Sequence, residues 1–262
     1  MTSQNIPKPD YLQRDDGHQT AYHQLAGQSP GVIFCGGFMS DMTGTKAQTL
    51  ETHCADQGRA FVRFDYLGHG QSSGEFSEGT IGRWQQDTLA VFDQLTEGPQ
   101  VVVGSSMGGW MSLLLALQRP ERIQGLLLLA PAPDFTEEMF NQEFNDADRT
   151  ELADQGRVLR PTEYGDDPYI ITESLITEGR QQLLLTREQI AVNCPIHIVH
   201  GMQDADVAWQ RSLLLTEKLQ SNQVGLHYIK QGDHRLSEPE DLRRMCHLVE
   251  QLWHPYPEDQ YR

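Results

Sequence analysis

The chain has 262 residues, 38% of them apolar and 22% charged, which admits one large α/β domain or two small ones, excludes a third, and excludes global disorder. Its 20 basic and 37 acidic residues leave a formal charge of −17, a surface that repels phosphate backbones at long range and excludes nucleic acid as an expected partner. The same excess of carboxylates fits a soluble, self-repelling surface and names no substrate.

Taken in chain order, Tyr11 to Arg14 and Gln19 to Leu25 flank an Asp16-Gly17 turn and read as an antiparallel hairpin at a sheet edge. Apolar runs of strand length follow at Gly31 to Cys35, Ala60 to Phe64, Gln100 to Gly104, Gly125 to Ala130, Pro195 to His200 and Gly225 to Lys230. Helical patterns lie at Gly44 to Gln57, Thr80 to Leu95, Met107 to Gln118, Ala208 to Gln220 and Pro239 to Trp253. That alternation predicts an α/β fold, a mostly parallel sheet with helices on both faces.

One segment breaks the alternation, because residues 134 to 191 separate two strands by far more than a crossover needs. Apolar and aromatic positions there, among them Phe135, Met139, Phe140, Phe144, Tyr164 and Tyr169, alternate with carboxylates. They predict amphipathic helices forming a lid over the sheet's C-terminal edge. The expected division is a core of 1–133 and 192–262 with a lid at 134–191.

The pattern G-x-S-x-G occurs twice, at Gly104 to Gly108 around Ser106 and at Gly70 to Gly74 around Ser72. Its chemistry needs a strand that turns abruptly into a helix, so that the serine hydroxyl stands free and the helix N-terminus faces developing negative charge. Val101-Val102-Val103 before the first copy and Met111 to Leu117 after it supply that context; glycines and polar residues around the second read as a loop. Ser106 is the expected nucleophile, Ser72 the decoy, and Ser105 lacks the flanking glycines.

A serine needs a base and the base an orienting acid, in the order Ser, acid, His. Asp204 falls on the loop after the strand ending at His200, and His234 on the loop after the next strand. Asp206 is the close rival for the acid and Asp134 a more distant one; His200 is expected to end its strand and brace the Asp204 loop, and His69 to lie in the glycine loop. For the oxyanion the expected donors are the backbone N–H groups of Met107 and of Phe38, the latter in Cys35-Gly36-Gly37-Phe38-Met39 after the first parallel strand.

Cys35, Cys54, Cys194 and Cys246 form no C-x-x-C pair, so they read as reduced thiols with neither a redox motif nor a zinc site. Met1 to Asp10 shows no signal or transit pattern, and the longest apolar stretches, such as Gly125 to Pro133, are too short to span a bilayer. A cytoplasmic location with no membrane span is the resulting expectation.

The chain from about Gly31 to Leu252 resembles the α/β-hydrolases, and among them the mitochondrial palmitoyl-protein thioesterases also described as mycophenolic acid acyl-glucuronide esterases. The likeness rests on Phe38-Met39-Ser40 with Gly44 to Ala47, Arg63-Phe64-Asp65-Tyr66, Gly98-Pro99-Gln100, Val103 to Trp110, Val192 to Ile196, His200 to Asp204 and Asp233-His234-Arg235. It implies an eight-stranded α/β-hydrolase sheet and a serine hydrolase of esters or acyl thioesters, with Ser106, Asp204 and His234 as triad and no cofactor or metal. Gly36 stands where many such enzymes have a histidine, and no presequence precedes the domain, so mitochondrial targeting is not expected to carry over. An acyltransferase, a perhydrolase or a non-catalytic ligand-binding relative are the alternatives.

Overall fold

The computed structural model describes residues 8–161 and 168–254. Strands β1 (Asp10–Gln13) and β2 (Gln19–Leu25) form the expected antiparallel hairpin. Then β3 (Gln28–Cys35), α1 (Thr45–Asp56), β4 (Arg59–Phe64), α2 (Ile81–Leu95), β5 (Gln100–Ser105), α3 (Met107–Gln118) and β6 (Ile123–Leu129) alternate as predicted, within a few residues at each end.

The insertion follows. Helix α4 (Phe135–Glu138) runs on through a wider turn over Met139–Glu143 into α5 (Asp146–Gln155). Helix α5 is capped by the Asn145 side chain, which accepts the N–H groups of Ala147 and Asp148. The insertion is not purely helical: β7 (Arg157–Arg160) and β8 (Tyr169–Thr172) pair antiparallel before α6 (Glu173–Gly179). The four-residue Arg157-Val158-Leu159-Arg160 is too short for its alternation to register against a helical background. Tyr164, counted among the insertion's apolar positions, lies outside the described residues. The chain then completes β9 (Ile196–Gly201), α7 (Gln210–Lys218), β10 (Val224–Ile229) and α8 (Pro239–Trp253).

The eight strands of the main sheet lie in the order β1-β2-β4-β3-β5-β6-β9-β10, parallel from β4 onward. Alternation sends Ile33, Cys35, Val62 and Val102 into one core, with Trp84 and Trp110 of α2 and α3. Val32, Phe34, Val101 and Val103 enter the other, with Leu50, Leu248 and Leu252 of α1 and α8. A sheet buried on both faces explains why its central strands read as continuous apolar runs. Because β4 lies on one side of β3 and β5 on the other, the chain leaves β3 and β5 toward opposite flanks, opening a crevice at their C-terminal ends.

Candidate active site

Strand β5 delivers Ser106 to that crevice. The residue holds φ 55° and ψ −118° between strand and helix, a backbone that costs on the order of 1–3 kcal/mol for a non-glycine residue and persists only where its surroundings impose it. They do so by close approach. A Cβ on Gly104 would collide with the Gly108 carbonyl and one on Gly108 with the Cys35 carbonyl, so the elbow fits against α3 and β3 only with glycine at both offsets.

The other two expected side chains arrive from β9 and β10. Their following loops abut backbone to backbone: the Met202 N–H donates to Ile229 O at 2.8 Å and the Gln203 N–H to Gly232 O at 2.9 Å. A Cβ on Gly201 would collide with Gly232. His234 Nε2 lies 3.0 Å from Ser106 Oγ, and His234 Nδ1 lies 2.7 Å from Asp204 Oδ2. Because a carboxylate only accepts, Nδ1 carries the proton and Nε2 offers its lone pair to the serine.

The Asp204 side chain is fully buried in this arrangement. Its Oδ1 accepts the N–H groups of Asp206 and Val207 at 2.9 and 2.8 Å, and its Oδ2 also lies 3.0 Å from His200 Nε2. Burial alone would raise its pKa; the hydrogen bonds from His200 and His234 outweigh burial and hold the carboxyl well below the usual range. His200, likewise buried, meets Ser212 Oγ at 2.6 Å through Nδ1, so it braces the Asp204 loop as expected.

The rivals are placed differently. Asp206 lines the same cleft but is exposed, and it is the Asp204 carboxylate that lies 2.7 Å from His234 Nδ1. Asp134 accepts the N–H groups of Leu184 and Leu185 at 2.8 and 2.7 Å, tying the two ends of the insertion together; burial raises its pKa against those bonds. Ser72 donates to Asp65 O at 2.6 Å and accepts the Ala21 N–H at 2.8 Å, a loop fastening away from the base.

Phe38 sits in the turn after β3, closed by the Ser40 N–H on Gly37 O at 3.2 Å. A Cβ on Gly37 would lie 3.4 Å from the Ser106 Cβ, so this turn rests against the serine. The Phe38 N–H donates to no acceptor among the described residues. Met107 is the first residue of α3, where backbone N–H groups lack intrahelical acceptors. Both candidate donors therefore belong to segments that adjoin Ser106.

A cleft of about 960 Å³ contains Ser106 and His234 and is lined by Phe38, Met39, Phe135, Met139 and Tyr169. Glu138, Glu143 and Arg160 of the insertion add charge to its wall. Lys46, from the first turn of α1, also lines it; its ammonium donates to the Arg235 carbonyl beside His234. Burial lowers that lysine to about 8, opposed in part by Asp233. Sequence reading assigned Lys46 no role, since a single charge on a helix carries no signal by itself. Asp204, Asp206 and His234 present ligand atoms within 4.8 Å of one another, but Asp204 already spends both oxygens on the hydrogen-bond chain, so a cation there would compete with that chain.

Comparison with known proteins agrees with this architecture. The family model described as serine aminopeptidase, S33 matches residues 30–240. The chain is 38% identical over 243 residues to the human mitochondrial palmitoyl-protein thioesterase ABHD10, covering 92% of this chain and 79% of that protein. The solved mouse alpha/beta hydrolase domain-containing protein 10 superposes with a TM-score of 0.86 at 37% identity, over 94% of this chain and 98% of that one. A solved structure from Agrobacterium vitis S4 gives 0.89 at 38% identity, over the same shares. These relatives overturn the cytoplasmic expectation, because the matched thioesterases are mitochondrial proteins and point to the mitochondrion instead. Unpaired cysteines fit any reducing interior equally and never discriminated between the two. Among the described residues no helix is long and apolar enough to cross a membrane.

Proposed function

This chain belongs to the Hydrolase_4 family of hydrolases, described as serine aminopeptidase, S33, and from that premise we propose that it cleaves carboxylic esters or acyl thioesters through an acyl-enzyme on Ser106. The observation that carries the reading is the unbroken chain from Ser106 Oγ to His234 at 3.0 Å and from His234 to Asp204 at 2.7 Å, rooted in a strained elbow.

In that cycle His234 Nε2 takes the hydroxyl proton as Ser106 Oγ attacks the acyl carbon. The carbonyl oxygen, now negative, is held by the N–H groups of Met107 and Phe38. As the tetrahedral species collapses, the bond to the alcohol or thiol breaks, and the imidazolium returns its proton to that leaving group. Water, deprotonated by the same imidazole, attacks the acyl-enzyme; as the second tetrahedral species collapses, the bond to Ser106 Oγ breaks, the imidazolium returns its proton to that oxygen, and the acid leaves. Asp204 fixes the tautomer throughout and stabilises the imidazolium.

Residues 134–191 act as a lid that sets acyl preference, a role supported by the contribution of Phe135, Met139 and Tyr169 to the cleft wall. An acyl chain fits that apolar side, in line with the palmitoyl-protein thioesterase activity named for the relatives. The test is labelling by a fluorophosphonate probe together with a panel of p-nitrophenyl esters and acyl thioesters graded by chain length. Ser106→Ala is expected to abolish labelling and turnover. Full labelling of that variant would refute the reading.

A further inference from the structure

The second G-x-S-x-G loop, which supplies no nucleophile, packs against the turn that carries Phe38. Resting on the acyl-enzyme reading above, we propose that His69 is a positioning residue for oxyanion binding: its Nε2 accepts the Met39 N–H and so locks the 38–39 peptide, holding in place the turn whose neighbouring 37–38 peptide offers the Phe38 N–H to the acyl oxygen.

The geometry is specific about the atoms. His69 Nε2 lies 3.2 Å from the Met39 N–H donor, and its Nδ1 lies 3.1 Å from Leu67 O. A backbone N–H only donates and a carbonyl only accepts, so the ring is fixed as the Nδ1–H tautomer with its Nε2 lone pair toward Met39. The ring is enclosed by Tyr66, Phe76 and Trp84 at centroid separations of 5.5, 5.1 and 5.1 Å. Phe38 packs its own ring on Phe76 and Trp84, at 5.0 and 5.8 Å. One aromatic box therefore sets both residues. Burial lowers the imidazole to about 4, which keeps the acceptor available at neutral pH.

The turn needs such a lock. Gly37 O accepts both the Ser40 N–H at 3.2 Å and the Ser40 Oγ–H at 2.9 Å, which turns the Phe38 N–H of the same peptide the opposite way. Next along, Met39 holds φ 52° without being glycine, and rotation of the 38–39 peptide would return it to a negative φ. The His69 acceptor opposes that rotation, and Asp65 holds the far side of the loop by accepting the Met42 N–H at 2.6 Å. Both peptides flanking Phe38 are thus pinned, one from within the turn and one from a loop thirty residues downstream.

The test compares His69→Phe, which keeps an aromatic ring in the box and removes the acceptor, with wild type on p-nitrophenyl butyrate. Expected are a KM within about threefold, a kcat lower by roughly 10- to 100-fold, a part of what losing a whole oxyanion donor costs, and an equal loss of affinity for a trifluoromethyl ketone that forms a tetrahedral adduct on Ser106. His69→Gln, which can present an amide oxygen to Met39, should recover part of kcat. A folded His69→Phe with unchanged kcat and unchanged ketone affinity overturns the inference. Should that variant not fold, ¹⁵N NMR of wild-type histidines decides: an Nε2–H tautomer at His69 overturns it and Nδ1–H supports it. Loss of Ser106 labelling in wild type would instead sink the underlying mechanism, so the two failures are separable.

Discussion

Asp204→Asn tests the hydrogen-bond chain at the point where it is most overdetermined. Four donors converge on the carboxylate: the His234 Nδ1–H at 2.7 Å and the His200 Nε2–H at 3.0 Å on one oxygen, the Asp206 and Val207 N–H groups at 2.9 and 2.8 Å on the other. An amide has one oxygen, and the two backbone donors cannot change, so the amide turns its oxygen to them and its NH₂ toward the imidazoles. His234 then has to accept at Nδ1, which moves its proton to Nε2 and makes it a donor to Ser106 instead of a base. The expected loss in kcat is about 10⁴-fold, near 5.5 kcal/mol of barrier. Stability should fall by about 1–3 kcal/mol as charge-assisted bonds become neutral ones. The carboxyl's lowered pKa means that its stabilisation is full above the unfolded value and is lost as pH falls through the folded one, so the gap between wild type and variant should narrow on acidification. Steady-state kinetics with p-nitrophenyl esters and urea unfolding at several pH values read both effects. A kcat reduced less than tenfold, with a thousandfold loss in Asp206→Asn instead, would refute the assignment of the acid.

Two further outcomes follow from the same contacts. Ser72→Ala should keep full fluorophosphonate labelling while losing roughly 1–3 kcal/mol in urea unfolding, because the Ala21 N–H and the Asp65 carbonyl each lose a partner; loss of labelling would contradict the loop role. His197 Nδ1 lies 3.1 Å from His227 Nε2 across β9 and β10, and burial, then His227 and His247, lower His197 to about 4, with burial and Arg244 also lowering His227. The unfolded chain therefore binds the extra proton first, and stability should fall as pH drops from about 6.5 to about 4, at no more than about 1.4 kcal/mol per pH unit for His197. His197→Gln should flatten that slope in unfolding measured at pH 7 and pH 5; an unchanged slope would show that the pair does not carry it.

What could be read from the residues divides by range. Helix α3 begins and ends where its pattern places it, and Ser106 was legible because strand, elbow and helix are contiguous in sequence. Asp204 and His234 were legible one step further out, because successive parallel strands deliver their following loops to the same sheet edge. The hairpin Arg157–Arg160 with Tyr169–Thr172 was not, since four-residue strands leave too few alternations to count. Lys46 was missed because its bond to the Arg235 carbonyl spans most of the chain. The cytoplasmic expectation rested on Met1 to Asp10 showing no transit pattern and on unpaired cysteines that fit any reducing interior, and the mitochondrial relatives overturn it.

The two serine pentapeptides show why context and not lettering decides. Around Ser106, glycine is required by collision: side chains at 104 and 108 would strike the backbone of α3 and β3. Around Ser72, Gly70 and Gly74 hold φ 47° and 87°, so glycine is required by chain direction, in a loop that must reverse tightly enough to bring Asp65 and His69 onto the turn bearing Phe38. The first copy presents a hydroxyl and the second folds back on itself, consuming its hydroxyl in its own fastening. One five-letter pattern thus meets two different steric demands, and the copy whose glycines face backbone within a strand-to-helix turn is the one that holds its serine hydroxyl 3.0 Å from His234 Nε2.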